Sequence, residues 1–344
     1  MWRHIAANAL TFMTVGLFLL AGVIAWGTRE YSAEGPLEAA ICLEVPRGGN
    51  IRQISADLID QGAITSAFIF ETGADYKEKA GDVNFGRFRV PEAASMAQIV
   101  DIVTRGGRNT CGAEVIYRVG INRTIVDVRE LDPATNRFVE LVSFEIGEGD
   151  LPETYATLRA EGGASYRVVI AEGATSWQIA NALGEIDILE ADVTEVPPEG
   201  SLAPRDYDIR EGDTVSSILA QMTVLQSEIL AEAWQSRADN LPLASPEEAL
   251  ILASIIEKET SVPDEHRQVS SVFVNRLNRC MRLHTDPTVI YGITLGEGVL
   301  GRGLRQSELR GATPWNTYVI EGLPPTPIAN PGKAAIEAAL NPDT

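Results

Sequence analysis

Two glutamates two residues apart, Glu257 and Glu259 in E-K-E-T, are the residues here whose type and setting are suited to acid chemistry. They end the stretch S-P-E-E-A-L-I-L-A-S-I-I-E-K-E-T from Ser245 to Thr260. Ser245 is a helix N-cap, Pro246 suits the first helical position, and Glu248 stands three beyond the cap as a capping-box partner. At about 100° per residue, Glu259 projects with Leu252, flanked by Ile255 and Ile256, whereas Glu257 points to the opposite face beside Ser254. A carboxyl held against hydrocarbon loses hydration in its charged form, so the pKa of Glu259 is expected to rise and make it a proton donor. Glu259 is the candidate catalytic acid. A structural reading competes: at the helix end, Glu259 reaches solvent or pairs with Arg267 or Arg276.

Other chemistries find little support. Cys42, Cys111 and Cys280 form no C-x-x-C, and His4, His266 and His284 form no paired-ligand pattern, so neither a metal nor another cofactor is expected. A net charge of −20 over 344 residues argues against a nucleic-acid partner, because nothing would neutralise phosphates. Cys42 and Cys111 either pair, in an oxidising compartment, or are free and buried; Cys280 reads as a buried thiol on a helix.

The chain length holds two or three domains. Residues 1–4 read as a cytoplasmic tail. From Ile5 to Gly27 there is no charge, and about 23 residues suffice for a transmembrane helix. The following T-R-E-Y-S offers no cleavage site, and Arg3 and His4 precede acids at Glu30, Glu34 and Glu38. The expectation is a single-pass anchor in the inner membrane, with the N-terminus cytoplasmic and the bulk periplasmic. Residues 28–41 read as an acidic linker.

Residues 42–107 read as strand, helix, helix, strand, helix: C-L-E-V-P, Ile51 to Asp60, Phe68 to Tyr76, F-G-R-F-R-V-P and Met96 to Thr104. The strand, turn and helix start recur: P-R-G-G-N-I-R-Q-I-S-A-D-L at Pro46 matches A-E-G-A-T-S-W-Q-I-A-N-A-L at Ala171, with a looser copy at Tyr207. In each, a Thr or Asn is placed to cap the helix. The pattern resembles the LysM module, a βααβ unit associated with N-acetylglucosamine-containing glycans, although a repeated cap and helix needs no sugar. Residues 108–165 read as a β-rich insertion containing E-V-I-Y-R-V, T-I-V-D-V-R and R-F-V-E-L-V-S-F. Residues 166–244 form a second LysM-like region ending in a helix from Thr214. The acidic stretches 147–163 and 185–203 read as surface loops.

Residues 245–344 carry the remaining motifs. Pro263 starts a helix with Val269, Val272, Phe273, Leu277 and Cys280 on one face. M-R-L-H-T-D-P-T-V-I-Y-G, P-W-N-T-Y and G-L-P-P-T-P-I-A-N-P-G follow, combining aromatic, amide and hydroxyl groups on proline-stiffened loops suited to a carbohydrate groove.

Together, A-S-I-I-E-K-E-T, V-F-V-N-R-L, M-R-L-H-T-D-P-T-V-I-Y-G, W-N-T-Y and G-L-P-P-T-P-I-A-N-P-G resemble the YceG-like family of membrane-anchored endolytic murein transglycosylases. The resemblance covers about Leu241 to Pro342. It implies an α+β chain: an N-terminal transmembrane helix, LysM-like βααβ units with a β-rich insertion, and a mainly helical C-terminal catalytic domain. It also implies that Glu259 is catalytic, that nascent peptidoglycan strands are cut to leave 1,6-anhydro-N-acetylmuramic acid ends, and that cell-wall synthases are partners. His284 stands where the family more usually has glutamine, and Trp315 where it has tyrosine. The family runs on beyond the N-P-D-T at which these 344 residues stop, through a tyrosine- and phenylalanine-rich stretch.

A single acid suffices for such a lyase, because the sugar's own C6 hydroxyl attacks C1; ordinary glycosidases need two carboxylates. Asn275, Arg276, Thr285, Asp286, Tyr291, Asn316 and Tyr318 are the candidate substrate contacts. A hydrolytic muramidase with Asp286 as second carboxylate, and a non-catalytic glycan-binding scaffold, are the alternatives. Asp286 before Pro287 is also a turn initiator.

Overall fold

The computed structural model describes residues 2–46, 48–105, 111–161 and 164–343, with side chains from residue 13 onward except at 161. Two compact units divide the chain: residues 1–114, 129–141 and 153–165 form the first, and 115–128, 142–152 and 166–344 the second. The α+β class holds. Residues 166–344, read above as two domains, fall in one unit, and the boundary expected at 107–108 lies outside the described residues.

In the first unit α1 (Trp2–Ser32) leads to β1 (Ile41–Val45), α2 (Ile51–Asp60), α3 (Ala67–Tyr76), β2 (Gly86–Val90) and α4 (Met96–Thr104). β1 and β2 pair antiparallel, with Leu43 opposite Phe88. Alternate strand residues face a core containing Leu43, Val45, Phe88 and Val90, which α2 covers with Ile54 and Leu58 and α4 with Ile99 and Val103. Cys42 and Cys111 are joined by a disulfide, which decides between the two cysteine readings. Among the described residues, no helix is long and apolar enough to cross a membrane, so the span expected at 5–27 is not seen as such. The linker expectation for 28–41 is corrected. Helix α1 runs on to Ser32, and Tyr31 and Leu37 are buried in this core, because the segment supplies apolar side chains the two-stranded sheet needs covered.

β3 (Gly112–Val119), β4 (Thr124–Asp132) and β5 (Arg137–Glu145) confirm the β-rich segment. They form a sheet of order β5-β4-β3-β6-β7 with β6 (Ser165–Ile170) and β7 (Asp206–Ile209). The loop expected at 147–163 contains a helix, α5 (Glu153–Glu161), pinned by the buried Tyr155. The 185–203 stretch is irregular but not merely surface, since Ile186, Ile188 and Leu202 are buried.

The second unit continues with α6 (Ser176–Gly184), between β6 and β7, and then α7 (Val215–Gln235), α8 (Pro246–Glu259), α9 (His266–Asn278), α10 (Asp286–Thr294), the short α11 (Gln306–Leu309) and α12 (Lys333–Leu340). α8 starts as its sequence demands: the Ser245 hydroxyl accepts from Glu248 N–H, Pro246 opens the helix, and the Glu248 carboxylate reaches back to Ala244 N–H at 2.6 Å. The apolar face expected for α9 holds at Val269, Phe273 and Leu277, which pack on the core, but not at Val272, which is exposed; His266, Ser270 and Val274 are buried as well. Cys280 lies beyond the helix end and is exposed, not a buried thiol.

The repeat is physical, and among the described residues it has four copies. Asn50, Thr175 and Thr214 cap α2, α6 and α7 as expected, each accepting a backbone N–H. Ser95 caps α4 in the same way, with Gln98 completing a capping box as Gln178 does at Thr175. Two residues before each cap the backbone turns left-handed: Gly48, Gly173 and Gly212 at φ 75°, 77° and 83°, and Ala93 at 53°. Only the Ala93 copy lacks glycine, which hid it from a motif search. An L-residue there costs roughly 1 kcal/mol. Ala93→Gly is therefore expected to stabilise the first unit by about 0.5–1 kcal/mol, read as a higher urea midpoint.

Candidate functional site

The acid that ends α8 is set by what surrounds the helix. From Ile251 to Glu257 every residue is buried, under α9, α12 and neighbouring loops. Glu259 lies beyond that cover and is exposed. The expected placement of the two glutamates is thus reversed: Glu257 is the buried one, at 8% exposure, and accepts from Gly332 N–H at 2.9 Å. Burial raises the Glu257 carboxyl above its ordinary value. A helix buried all round has no single apolar face, so projection from Leu252 could not say which acid would be covered.

Beyond Glu259 the chain is tied back on itself. The Thr260 hydroxyl donates to Glu265 at 2.7 Å, Val262 N–H donates to the Thr260 hydroxyl at 3.2 Å, and His266 Nε2 lies 3.0 Å from the Thr260 carbonyl. These bonds fix the exit of α8 and so the root of the Glu259 side chain.

A buried group of three threonines meets the acid from the other side. Thr285 Oγ1 donates to Glu259 Oε1. The Thr285 backbone is held in turn: its N–H donates to Thr317 Oγ1 at 3.0 Å, and its carbonyl accepts from Thr288 Oγ1 at 2.7 Å. Thr288 and Thr317 hydroxyls lie 2.9 Å apart, and all three side chains are at most 2% exposed. Such a group has few rotamers left, so the hydroxyl on Glu259 is pre-aimed.

Around this pair lie polar and aromatic groups. Tyr318 donates to Asp286 Oδ1 at 2.7 Å, and its ring stacks on His284 with centroids 5.1 Å apart and planes inclined 12°. Its phenol is pushed up to about 12, first by the bond to Asp286, then by burial and by the charges of Asp286 and Glu259, with Arg276 opposing. Arg276 donates to the Leu283 carbonyl and Arg282 to the Tyr318 carbonyl, holding the two strands of chain together. Asp286 is the first residue of α10 rather than a free turn, and it remains exposed.

The structure thus gathers Glu259, Arg276, Thr285, Asp286 and Tyr318. Asn275 is exposed on α9, beside Arg276 in sequence. Two expected contacts have protein partners of their own. Asn316 is fully buried, and its amide donates to the carbonyls of Glu308, Leu309 and Gly311, so it clips a loop rather than presenting to a sugar. Tyr291 is half-buried, packs edge-on against Trp315 and has its hydroxyl engaged by Glu199 and Thr326. Sequence reasoning missed Thr288 and Thr317, although Thr317 stands between the two flagged residues of W-N-T-Y.

A second polar cluster supports the first. Glu199 accepts from Ser176 N–H at 2.9 Å and from the Asn330 amide at 3.2 Å, and burial raises its carboxyl above the ordinary value. Lys258 donates to the Gly173 carbonyl at 3.2 Å; burial lowers its ammonium, while the Glu257 and Glu199 charges act the other way. Asn330 also accepts from Leu202 N–H and donates to the Ala174 carbonyl, at 2.9 and 3.0 Å. These bonds join the helix start after β6 to the proline-rich loop and hold α8 between them.

Residues 139–344 match the YceG-like family. An endolytic murein transglycosylase of Streptococcus pneumoniae strain D39 is 23% identical over 98% of this chain, and one of Bacillus subtilis strain 168 is 35% identical over 43% of it. The chain spans 59% of the length of the first and the match covers 39% of the second. A crystal structure of a YceG-like protein from Listeria monocytogenes is similar at 25% identity, covering 89% of this chain and 90% of that one, with a TM-score of 0.43.

Proposed function

The chain belongs to the YceG-like family, and on that premise we propose that it is an endolytic peptidoglycan lytic transglycosylase with Glu259 as its single acid and base. The observation that carries this reading is the exposed carboxyl of Glu259, held through Oε1 by a buried threonine group and flanked by the His284–Tyr318 stack. Glu259 gives a proton to the oxygen bridging N-acetylmuramic acid and N-acetylglucosamine, and the bond from C1 to that oxygen breaks. The muramic C6 hydroxyl then bonds to C1 and returns its proton to Glu259, so no water is consumed and a 1,6-anhydro end forms. The stacked rings offer an apolar face to a pyranose, and Arg276 and Asp286 offer partners to its substituents. The relatives named endolytic murein transglycosylases support the substrate class.

Asp286 supports a second reading. It shares Tyr318 with Glu259, so two carboxylates act on one neighbourhood, as a water-adding muramidase would require. Mass spectrometry of murein digested by the protein decides: anhydro ends support the lyase, reducing ends the hydrolase, and no cleavage a glycan-binding scaffold.

The location proposed is the periplasmic side of the inner membrane, with α1 as a single-pass anchor, nascent strands as substrate and cell-wall synthases as neighbours. The uncharged run of Ile5 to Gly27, the exposure of Phe18, Leu19 and Val23, and the Cys42–Cys111 disulfide support it.

Thr285→Val removes the hydroxyl on Glu259 but keeps side-chain shape and both backbone bonds. Anhydro-end formation is expected to fall roughly ten- to a hundredfold, the worth of a hydrogen bond to a charged group, with an unchanged circular dichroism spectrum. Thr285→Ser should restore most of the rate.

A further inference from the structure

One exposed apolar surface, shared by α1 and α3, has no role in the chemistry above. It begins on α1, where Phe18, Val23, Ile24 and Trp26 are 57–76% exposed. It continues without a break onto α3 of the same unit. There Phe68 is 76% and Tyr76 82% exposed, and with Val23, Ile24 and Trp26 they line a groove of about 600 Å³. Spacing of four residues puts Phe68, Thr72 and Tyr76 along one side of α3.

The two helices are fixed to each other. The Tyr31 ring is packed against Gly73 so closely that a Cβ there would come within 2.3 Å of it, and Thr65 donates to Glu30 at 2.9 Å. Trp26 lies only about 8 Å up the helix from Tyr31 at 1.5 Å per residue. Whatever medium covers the apolar part of α1 therefore meets the exposed aromatics of α3 at the level where that part ends.

We propose that α3 is a membrane-docking helix: Phe68 and Tyr76, with Trp26, sit at the boundary between headgroups and acyl chains of the bilayer that receives α1. The proposal rests on the reading of α1 as a membrane segment. Continuity with the exposed side chains of α1 identifies lipid as the occupant. The composition agrees, since tryptophan and tyrosine favour that boundary and Lys77 and Arg29 stand where lipid phosphates would be. Asp75, exposed and near the Phe68 side of α3, limits the depth to the headgroup region. The first unit is thereby seated on lipid, not suspended on a tether.

The test uses the full chain with Cys280→Ser, the disulfide intact, and one further cysteine bearing an environment-sensitive fluorophore at Phe68, Ile24 or the exposed Val224. Each protein is reconstituted in vesicles of phosphatidylethanolamine and phosphatidylglycerol carrying a spin label near the glycerol backbone. Quenching at position 68 of at least half that at position 24, with none at 224, is the expected result; adding Tyr76→Asp and Trp26→Asp should reduce the signal at 68. Quenching at 24 but not 68 overturns the docking and leaves the anchor standing. Quenching at neither overturns both. A blue-shifted but unquenched fluorophore at 68 assigns the groove to a protein and overturns lipid docking.

Discussion

Glu259→Gln is expected to abolish anhydro-end formation, lowering the rate roughly 10²–10⁴-fold, the usual worth of a general acid. The amide keeps an oxygen to accept from Thr285 and leaves the exposed end of α8 its shape, so folding should be unaffected. It cannot protonate a glycosidic oxygen. Glu257→Gln is the matched comparison, for a reason opposite to the one the helical projection offered. Glu257 is buried and its carboxyl is raised by burial, and a neutral amide can still accept from Gly332 N–H while avoiding the desolvation of a charge. That variant should fold and retain most activity. Murein digestion by both proteins, with circular dichroism as control, checks the pair; an inactive Glu257→Gln beside an active Glu259→Gln would remove Glu259 from the chemistry.

Asn330→Ala is expected to destabilise the second unit by about 1–3 kcal/mol, because that is the usual cost of a buried polar group left unpaired. Asn330 is fully buried, and its loss strands the N–H of Leu202, itself at 0% exposure, whereas the Ala174 carbonyl keeps the backbone N–H of residue 330 and the Ser176 hydroxyl keeps the Pro198 carbonyl. Glu199 would lose a donor as well. A lowered urea midpoint measures the effect. Since Asn330 lies outside the Glu259 cluster, activity per folded molecule should fall far less than the folded fraction.

Much of the architecture is local and therefore written in the chain. Ser245, Pro246 and Glu248 determine where α8 begins because a cap acts on its own first turn. Asn50, Thr175 and Thr214 do the same for α2, α6 and α7, and the alternating apolar residues of Ile41–Val45 and Gly86–Val90 mark strands with one covered face. E-K-E-T, H-T-D-P-T and W-N-T-Y, read with the family resemblance they carry, were also enough to bring Glu259, Thr285, Asp286 and Tyr318 into one list.

Tertiary structure decided which side chains are available. α8 is covered along Ile251–Glu257 by elements distant in sequence, including α12, whose A-A-I-E-A-A-L was not read as part of the site's support. That cover buries Glu257 and ends before Glu259, and no periodicity within α8 contains this information. Asn316 and Asn330 look alike in sequence to any sugar-binding amide, yet each is satisfied by carbonyls and N–H groups of loops that only folding brings together. The aim of Thr285 likewise depends on Thr317, 32 residues away, because a hydroxyl is oriented by its neighbours in space.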